Sequence, residues 1–453
     1  MCDLLSRAPS LVTNKELVRK SSEAMISLSF DDQLDFLLNL LEISKEQKEK
    51  LINTLQFVEF PIIEEIYTNK KGVEAASFTQ LILFLTQPNL SNLEFQNQFL
   101  MVFSAFSNAK EILASLLIRY YTNPNNPKTN IKNRHDLANV RCRIGSIIGT
   151  WLKIDVYYFT PELLNIIDIF VSYIRTDLSC STIYTSISQG LDQYRCIQKS
   201  LRLYSNKPRP KPITPNGDEN SWTLISVPAI ELARQMTIYH STLFNDVRAK
   251  ELFNIAEEKK VKDSNMEQLT DHFNNFADYV TLSLLTQPNL QLRLKVLGFW
   301  IEVASELLKI NNYHGVFTVV MGISHPAITR LKKSLSKVFK KKEYKELVEF
   351  CDTSDNYGKY RHVVSKTLLP CVPFIGCFKK DLIYIHERNE NKHRNLIHFN
   401  LYVECINTIN QIEKFQTDTY SFYKIPKIQS LLMNVPEAKP LKVLMLISQE
   451  IDS

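Results

Sequence analysis

The chain has 453 residues, of which 54 are basic and 48 acidic, and its formal net charge is +6. A chain of this length is too long for one compact core, so two domains are expected. Only 10 residues are glycine, and neither G-x-x-x-x-G-K-S/T nor G-x-G-x-x-G occurs. This excludes the common phosphate-binding loops, and no cofactor is predicted.

The expected location is cytoplasmic. The eight cysteines are scattered without a C-x-x-C pair, which is typical of reduced thiols rather than of a disulfide framework. The N-terminal segment lacks the apolar core of a signal peptide, and no uncharged apolar run approaches the ~20 residues that a membrane helix needs. Recruitment to a membrane would therefore depend on surface charge, a modification or a partner.

The first half of the chain, over residues 20–200, is predicted to form successive helices. Apolar residues recur there at helical spacing: Phe99, Val102, Phe103, Phe106, Leu113, Leu116 and Leu117, and then Ile144, Ile147, Ile148, Trp151 and Leu152. Between these stripes, residues 123–133 form a polar segment broken by prolines, which predicts a loop.

Residues 206–220, NKPRPKPITPNGDEN, mark the clearest boundary in the chain. Prolines fix φ and remove backbone donors, which favours an extended segment. One interpretation is a stiff linker between two domains, and the other is a P-x-x-P ligand for an SH3 domain. The linker is preferred, because short proline-rich connectors are common.

In the second half, a wide apolar face predicts a helix buried in a bundle: Leu294, Val296, Leu297, Trp300, Ile301, Val303, Ala304, Leu307 and Leu308. Strand-like alternation is rare throughout, so the predicted fold class is all-α. Residues 331–345, LKKSLSKVFKKKEYK, are dense in lysine. They are interpreted as a solvated loop or helix end, with electrostatic contact to phospholipid or to a partner protein as the alternative.

No metal site or conventional catalytic site is predicted. The candidate ligands lack zinc-finger and H-E-x-x-H spacing: His386, His393 and His398, or Cys371 and Cys377. No G-x-S-x-G nucleophile elbow occurs either. From residue patterns alone, the chain is a helical interaction protein.

The second half also carries an ordered series of short motifs. They are V-P-A-I-E-L-A-R-Q-M-T at 227–237, Phe244, K-E-L at 250–252, H-F-N at 272–274, N-N-Y at 311–313, I-T-R-L at 328–331, N-Y at 356–357 with Y-R at 360–361, P-C-V-P-F-I-G at 370–376, K-D-L at 380–382 and L-I-H-F at 396–399. Over residues 227–436 this series resembles the catalytic domain of Ras guanine nucleotide exchange factors of the Son-of-sevenless type. Residues 75–175 more loosely resemble the exchanger motif domain that precedes it in that family, through F-L-M-V-F at 99–103, E-I-L at 111–113 and R-Y at 119–120.

The resemblance implies two helical domains, the second a helical bowl with a protruding helical hairpin at about 370–400. The implied boundaries are a helical extension of unknown role at 1–70, an exchanger motif domain at 71–204, a proline-rich linker at 205–221, a catalytic domain at 222–436 and a C-terminal tail at 437–453.

The implied function is release of GDP from a Ras, Rap or Ral-like GTPase, without covalent chemistry. In the family, the hairpin inserts near switch I and the magnesium site of the GTPase. Ile383 and Glu387 would do this here, since their i, i+4 spacing places them on one helix face. Ile383 would bring an apolar group to the magnesium position, and Glu387 would bring a carboxylate to the phosphate-loop hydroxyl and disfavour phosphate there.

The resemblance also implies roles for other residues. The GTPase-binding residues would be Ser324, Thr329, Arg330, Asn356, Tyr357 and Lys380, and the structural residues of the hairpin would be Pro373, Phe374, Gly376, Phe378, Asp381 and Leu382. Departures from the family pattern are Arg388-Asn389-Glu390 for Gly-Asn-Pro, Ser324 for asparagine, Leu335 for tryptophan, and Asn400-Leu401-Tyr402 for a basic run.

Two other functions remain open. One is a silent scaffold that binds a GTPase without emptying it, and the other is a lipid-binding helical protein that uses the lysines of 331–345. No nucleic-acid partner is expected, and the oligomeric state is not predicted.

Overall fold

The computed structural model describes residues 15–56, 66–69, 72–89, 92–124, 129, 131, 133–154, 159–203, 208–259, 261–388, 395–437 and 439–452. Its elements in chain order are α1 (Lys15–Ile26), α2 (Phe30–Leu40), α3 (Lys45–Gln56), β1 (Ile66–Asn69), β2 (Gly72–Ala76), α4 (Phe78–Leu85), α5 (Leu93–Val102), α6 (Ala109–Tyr120), α7 (Arg134–Ile154), α8 (Pro161–Ile174), α9 (Ser181–Leu203), α10 (Ala229–Asp246), α11 (Ala249–Ala256), α12 (Asn265–Leu285), α13 (Leu290–Lys309), α14 (Tyr313–Ile323), α15 (Pro326–Thr329), α16 (Lys332–Phe339), α17 (Lys342–Phe350), α18 (Ser354–Val364), α19 (Ile375–Arg388), α20 (Phe399–Phe415), α21 (Pro426–Met433) and α22 (Leu441–Asp452).

The predicted all-α class is confirmed, with one small addition. Strands β1 and β2 form an antiparallel pair that the sequence did not predict, in which Ile66 lies opposite Ala76 and Asn69 opposite Gly72. Gly72 has φ of +123°, a conformation that favours glycine. Strands this short carry too few residues to show alternation.

Polar side chains mark where many helices begin. Each accepts a hydrogen bond from a backbone N–H three residues further on: Ser29, Ser77, Asn92, Asn108, Thr160, Ser264, Asn289 and Asn312. Asn108 explains why the predicted stripe over 99–117 is divided. The chain leaves α5 through a short turn, and α6 starts after this cap.

The chain divides into two compact units. The first unit contains residues 1–206 together with 388–406, and the second contains 207–387 together with 407–453. In the first unit, α7 and α9 approach closely at two glycines. A Cβ atom on Gly149 would lie 2.5 Å from the Ser186 carbonyl oxygen, and one on Gly190 would lie 2.7 Å from the Gly149 carbonyl oxygen. Larger residues there would force the helices apart.

A buried arginine joins α3 to the rest of the first unit. Arg119 of α6 is 0% exposed. Its Nε donates to the Thr86 hydroxyl at 3.0 Å and its Nη1 to the Leu55 carbonyl at 3.1 Å, while burial lowers the pKa of Arg119 to about 10. Residues 45–56 of the predicted N-terminal extension are therefore packed into this unit.

The second unit is built around α13, the helix predicted from the apolar face at 294–308. Trp300 is 0% exposed, and its indole N–H donates to the Ser283 hydroxyl at 2.8 Å. A buried polar network joins α10 to α21. In it, the Glu231 carboxylate accepts a hydrogen bond from the Gln235 side chain at 2.8 Å, and the Gln235 amide oxygen accepts one from the Gln429 side chain at 2.9 Å. Because each buried polar group has a partner, the network fixes how α10 and α21 meet.

The proline-rich segment and the lysine-rich segment, for each of which the sequence left two interpretations open, also lie in the second unit. Residues 208–217 contain no helix or strand, and the Ile213 N–H donates to Glu231 at 3.1 Å. The lysine-rich run at 331–345 forms α16, the short turn after it and the start of α17, so it includes a helix end of the kind expected. None of the helices over the described ranges is long and apolar enough to cross a membrane.

Replacing Arg119 by methionine is expected to lower the free energy of unfolding of the first unit by about 3 kcal/mol, because two buried acceptors lose their donor. Urea denaturation of the full chain and hydrogen exchange across α3 measure this loss. Arg19→Met is the matched control, since Arg19 pairs with Glu23 on the exposed surface of α1, where a pair contributes about 1 kcal/mol or less. Equal losses in both variants would contradict the role of the buried guanidinium.

Candidate functional site

Helix α19 carries the predicted catalytic residues, and packing fixes where it begins. The ring of Phe374 stacks on Phe317 with 3.9 Å between ring centres and an interplanar angle of 2°. The backbone N–H of Phe374 donates to the Tyr360 hydroxyl at 2.8 Å. A Cβ atom on Gly376 would lie 2.5 Å from the Phe374 ring. The core of the second unit therefore determines the start of the helix.

An ion pair fixes the middle of α19. Two guanidinium nitrogens of Arg361 donate to the two carboxylate oxygens of Asp381 at 3.0 and 2.7 Å, the bidentate geometry that restricts both side chains. Phe378 and Leu382 are 4% and 0% exposed. The residues predicted to be structural lie at the base or on the packed side of α19: Pro373, Phe374, Gly376, Phe378, Asp381 and Leu382.

The two predicted catalytic residues lie on less buried positions of the same helix. Ile383 is half-buried and Glu387 is exposed, one turn further towards the C-terminal end of α19. Lys380 is exposed, and its ammonium nitrogen lies 5.5 Å from the centre of the Tyr357 ring. The described part of the helix ends at Arg388, and the candidate zinc ligand His393 lies outside the described residues. Among the described residues, no group of three or more His, Cys, Asp or Glu side chains could hold a metal ion.

A cleft of about 340 Å³ lies beside Ile383 in the second unit. Its lining includes the rings of Phe273 and Phe374, and Lys379 and Lys380 border it. Lys379 donates to the Thr270 hydroxyl at 3.2 Å, and burial lowers its pKa. The cleft thus offers apolar surface with positive charge beside it.

The predicted contacts Asn356 and Tyr357 lie in a strained left-handed turn at the start of α18, where the backbone departs from helical geometry. Asp355, Asn356 and Tyr357 have φ values of +50°, +51° and +63°, a region that costs about 1–3 kcal/mol for each non-glycine residue. Arg361, which holds Asp381, also donates through Nε to the Asn356 carbonyl at 2.8 Å. The same guanidinium therefore supports the turn and α19, a connection that the motif match did not reveal.

The remaining predicted contacts lie at α14 and α15. Ser324 is half-buried at the end of α14, and Thr329 is exposed at the end of α15. Arg330 is already engaged, because its Nη1 donates to the carbonyl and hydroxyl oxygens of Ser448 at 2.5 and 3.1 Å. Sequence reasoning missed this partner, which lies in the C-terminal helix α22.

Paired asparagines position the segment that leads into α19. Asn311 has φ of +59°, its side chain donates to the Leu368 carbonyl at 3.2 Å, and its carbonyl accepts from the Val372 N–H at 3.0 Å. Asn312 is 0% exposed and donates to the Thr237 hydroxyl at 2.9 Å. In the sequence, Asn311 and Asn312 were recognised only as part of a motif. Their hydrogen bonds show that they position the segment leading into α19.

Three buried histidines lie next to this asparagine. His240 Nε2 and His272 Nδ1 are 3.2 Å apart, and the rings of His240 and His314 have centres 5.0 Å apart. Burial lowers the pKa of His240 to about 4 and lowers the pKa values of His272 and His314 well below the ordinary range. All three are therefore neutral near pH 7.

The segment that follows α19 in the chain is part of the first unit. Ala76 and Ile397 exchange two backbone hydrogen bonds of 3.1 and 2.9 Å. The Phe95 and Phe399 rings lie 5.0 Å apart, and Phe399 is 1% exposed. The first residues of α20 are thus held by the strands and helices of that unit.

Two protein-family models match the chain. The RasGEF domain matches residues 231–402, and the RasGEF N-terminal motif matches residues 72–170.

Curated relatives match over most of the chain. The chain is 25% identical to Ras guanine nucleotide exchange factor J of Dictyostelium discoideum, over 81% of its own length and 47% of that protein. It is 24% identical to factor I of the same organism, over 80% of its own length and 44% of that protein. It is 23% identical to Ras guanine nucleotide exchange factor A of the same organism, over 80% of its own length and 61% of that protein. The chain spans about half the length of the curated relatives it matches.

The stability of the second unit is expected to fall as the pH drops below about 6.5, the pKa of histidine in an unfolded chain. Because the folded pKa of His240 is about 4, the unfolded state binds more protons between these two values. The free energy of unfolding then falls by up to about 1.4 kcal/mol per pH unit for each histidine, and the contribution is complete above the unfolded pKa.

Urea midpoints of the full chain between about pH 7.5 and pH 4.5 measure this slope. His240→Gln is expected to make the slope shallower. The same slope in His240→Gln as in the wild type would contradict the assignment.

Proposed function

The chain belongs to the Ras guanine nucleotide exchange factor family, and from this we propose that it promotes release of GDP from a Ras-family small GTPase. The observation that carries the proposal is the arrangement of α19. Its packed side is fixed by Phe374 and by the Arg361–Asp381 pair, while Ile383 and Glu387 are less buried and lie one turn apart. The two predicted catalytic side chains are therefore placed where a partner protein could contact them.

The proposed mechanism is stabilisation of the nucleotide-free GTPase. A GTPase that binds GDP with picomolar affinity holds it by roughly 16 kcal/mol, so the exchange factor must offer comparable interactions to the empty site. Ile383 would replace the magnesium ion with an apolar group. Glu387 would bind the phosphate-loop hydroxyl, and its negative charge would disfavour phosphate nearby.

The surface around α19 would hold the GTPase in place. Its proposed contacts are Ser324, Thr329, Arg330, Asn356, Tyr357 and Lys380. The cleft beside Ile383 offers Phe273 and Phe374 to an apolar side chain of the GTPase.

The N-terminal motif domain would support activity indirectly. Residues 395–406 follow α19 and lie in the first unit, where Phe95 contacts Phe399. A proposed hairpin that includes both α19 and the start of α20 therefore depends on this unit for its second arm. A cytoplasmic location is part of the same proposal.

A silent GTPase-binding scaffold is the second candidate. The observation that favours it is the change after Glu387, where Arg388-Asn389-Glu390 stands for the family's Gly-Asn-Pro, because this change lies in the proposed hairpin, which exchange requires and binding alone does not. Binding without accelerated release would distinguish it from an active exchanger.

Replacing Glu387 by glutamine is expected to slow exchange at least about tenfold, a loss near 1.4 kcal/mol of transition-state stabilisation. The substitution keeps the shape and removes the charge. Release of fluorescent GDP from a panel of Ras, Rap, Ral and Rho GTPases measures the effect, and Ile383→Ala is expected to act in the same direction. Glu302→Gln, at an exposed position of α13, is the matched control.

No acceleration with any member of the panel, while a known exchanger works under the same conditions, would sink the active-exchanger proposal. Measured binding to the nucleotide-free GTPases would then support the scaffold. Wild-type rates in Glu387→Gln would contradict the catalytic role of its charge.

Replacing Phe399 by leucine is expected to slow exchange several-fold without removing a GTPase contact, because the smaller side chain loosens the packing on Phe95. Hydrogen exchange over residues 395–406 should become faster in parallel. Phe415→Leu is the control, since Phe415 is 8% exposed and lies near the other end of the same helix. Slower GDP release without faster hydrogen exchange would argue against a supporting role.

A further inference from the structure

The positive charge of the chain is concentrated in one short segment. Residues 331–345 contain seven lysines and a single glutamate, a net charge of +6, which equals the formal net charge of the entire sequence. The rest of the chain is therefore formally neutral. Positive charge spread evenly over the chain would not attract an anionic partner to one region. Charge concentrated in residues 331–345 can do so.

The segment is built on packed helices rather than on a loose tail. Leu335 and Val338 of α16 are 1% and 7% exposed, and Leu347 of α17 is 2% exposed. These apolar side chains hold both helices in the second unit. Lys342 and Lys345 lie on α17, and Lys340 and Lys341 lie in the short turn between α16 and α17, so packed helices set the backbone positions of these lysines.

Four lysines of this segment, whose side-chain exposure the structure describes, form what is here called the lysine patch: Lys340, Lys341, Lys342 and Lys345. All four are exposed. Lys342 has a partner in Glu346 at 3.5 Å, with both side chains largely exposed, and such surface pairs are weak. Glu343, also exposed, is the one acidic residue between the lysines. The patch therefore stays strongly positive.

Two half-exposed aromatic rings lie among these lysines. Phe339 and Tyr344 have ring centres 4.9 Å apart and join the end of α16 to the start of α17. Aromatic rings beside lysines suit the boundary between water and lipid, where the rings enter the headgroup region while the ammonium groups remain hydrated. A purely polar partner would not use these rings.

The choice of lysine over arginine points the same way. The segment contains no arginine, and arginine is the residue that recognises single phosphate or carboxylate groups through a planar pair of donors. Lysines act as separate point charges and suit a diffuse negative surface. We propose that the lysine patch, with Phe339 and Tyr344, binds the surface of a membrane that contains anionic phospholipids.

Sedimentation with vesicles tests the proposal on the full chain, with no GTPase present. Binding to phosphatidylcholine vesicles with about 30% phosphatidylserine is expected at about 0.1 M salt, and it should weaken strongly at about 0.5 M. Phosphatidylcholine alone should bind at least about tenfold more weakly. No binding of the wild type to the anionic vesicles would overturn the proposal.

A charge-matched pair of variants tests the location. Replacing Lys340, Lys341, Lys342 and Lys345 by glutamine is expected to weaken vesicle binding about tenfold or more. The control replaces the exposed Lys15, Lys20, Lys45 and Lys50 by glutamine, which removes the same charge from the first unit. Equal losses in both variants would show that net charge alone acts and would overturn the assignment to the patch.

Two further measurements distinguish a membrane surface from a soluble polyanion and from the GTPase. Binding to heparin or RNA without binding to vesicles would overturn the proposal in favour of a soluble polyanion. GDP release in solution should be the same in the patch variant as in the wild type, because the patch contains no proposed GTPase contact. Failure of the vesicle experiment would thus be distinct from failure of the proposed exchange activity.

Discussion

The backbone pairing of Ala76 with Ile397 adds one bridge at the end of a two-stranded sheet that would be marginal alone. The pairing joins residues more than 300 positions apart, and the Phe95–Phe399 contact adds buried apolar area beside it. Residues that follow α19 are consequently folded by the first unit, whereas α19 itself is folded by the second.

In the second unit, hydrogen bonds between buried polar groups fix the relative positions of helices, which apolar packing alone does not determine. Apolar contacts tolerate small shifts between helices, but a buried amide or carboxylate without a partner costs about 1–3 kcal/mol. Glu231, Gln235 and Asn312 each have partners on other segments. Several motif residues are thus explained by the fold itself: they define the arrangement from which α19 projects.

Periodicity predicted the helices well where one face is buried, as in α13, whereas the structural roles along α19 were expected only from the family resemblance. The sequence could not predict β1 and β2, because each is too short to show alternation. The bonds of Arg330 to Ser448 and of Ala76 to Ile397 were also hidden, since tertiary packing alone brings such distant residues together. The left-handed turn at 355–357 was missed for a related reason: Arg361 supports it, and nothing in local propensity favours it for tyrosine.

The strained turn and α19 share Arg361, and this shared support bears on how an exchange factor could work. An exchanger must hold the empty GTPase tightly enough to compete with nucleotide and still release it when nucleotide returns. Rigid elements lose little conformational entropy on binding, so more of their contact energy remains available for that competition. Arg361 forms a bidentate pair with Asp381 of α19 and donates through Nε to the Asn356 carbonyl in the neighbouring turn, which prepares two proposed contact regions before the partner arrives. The strain of the turn is then a cost met during folding, and the GTPase need not supply it.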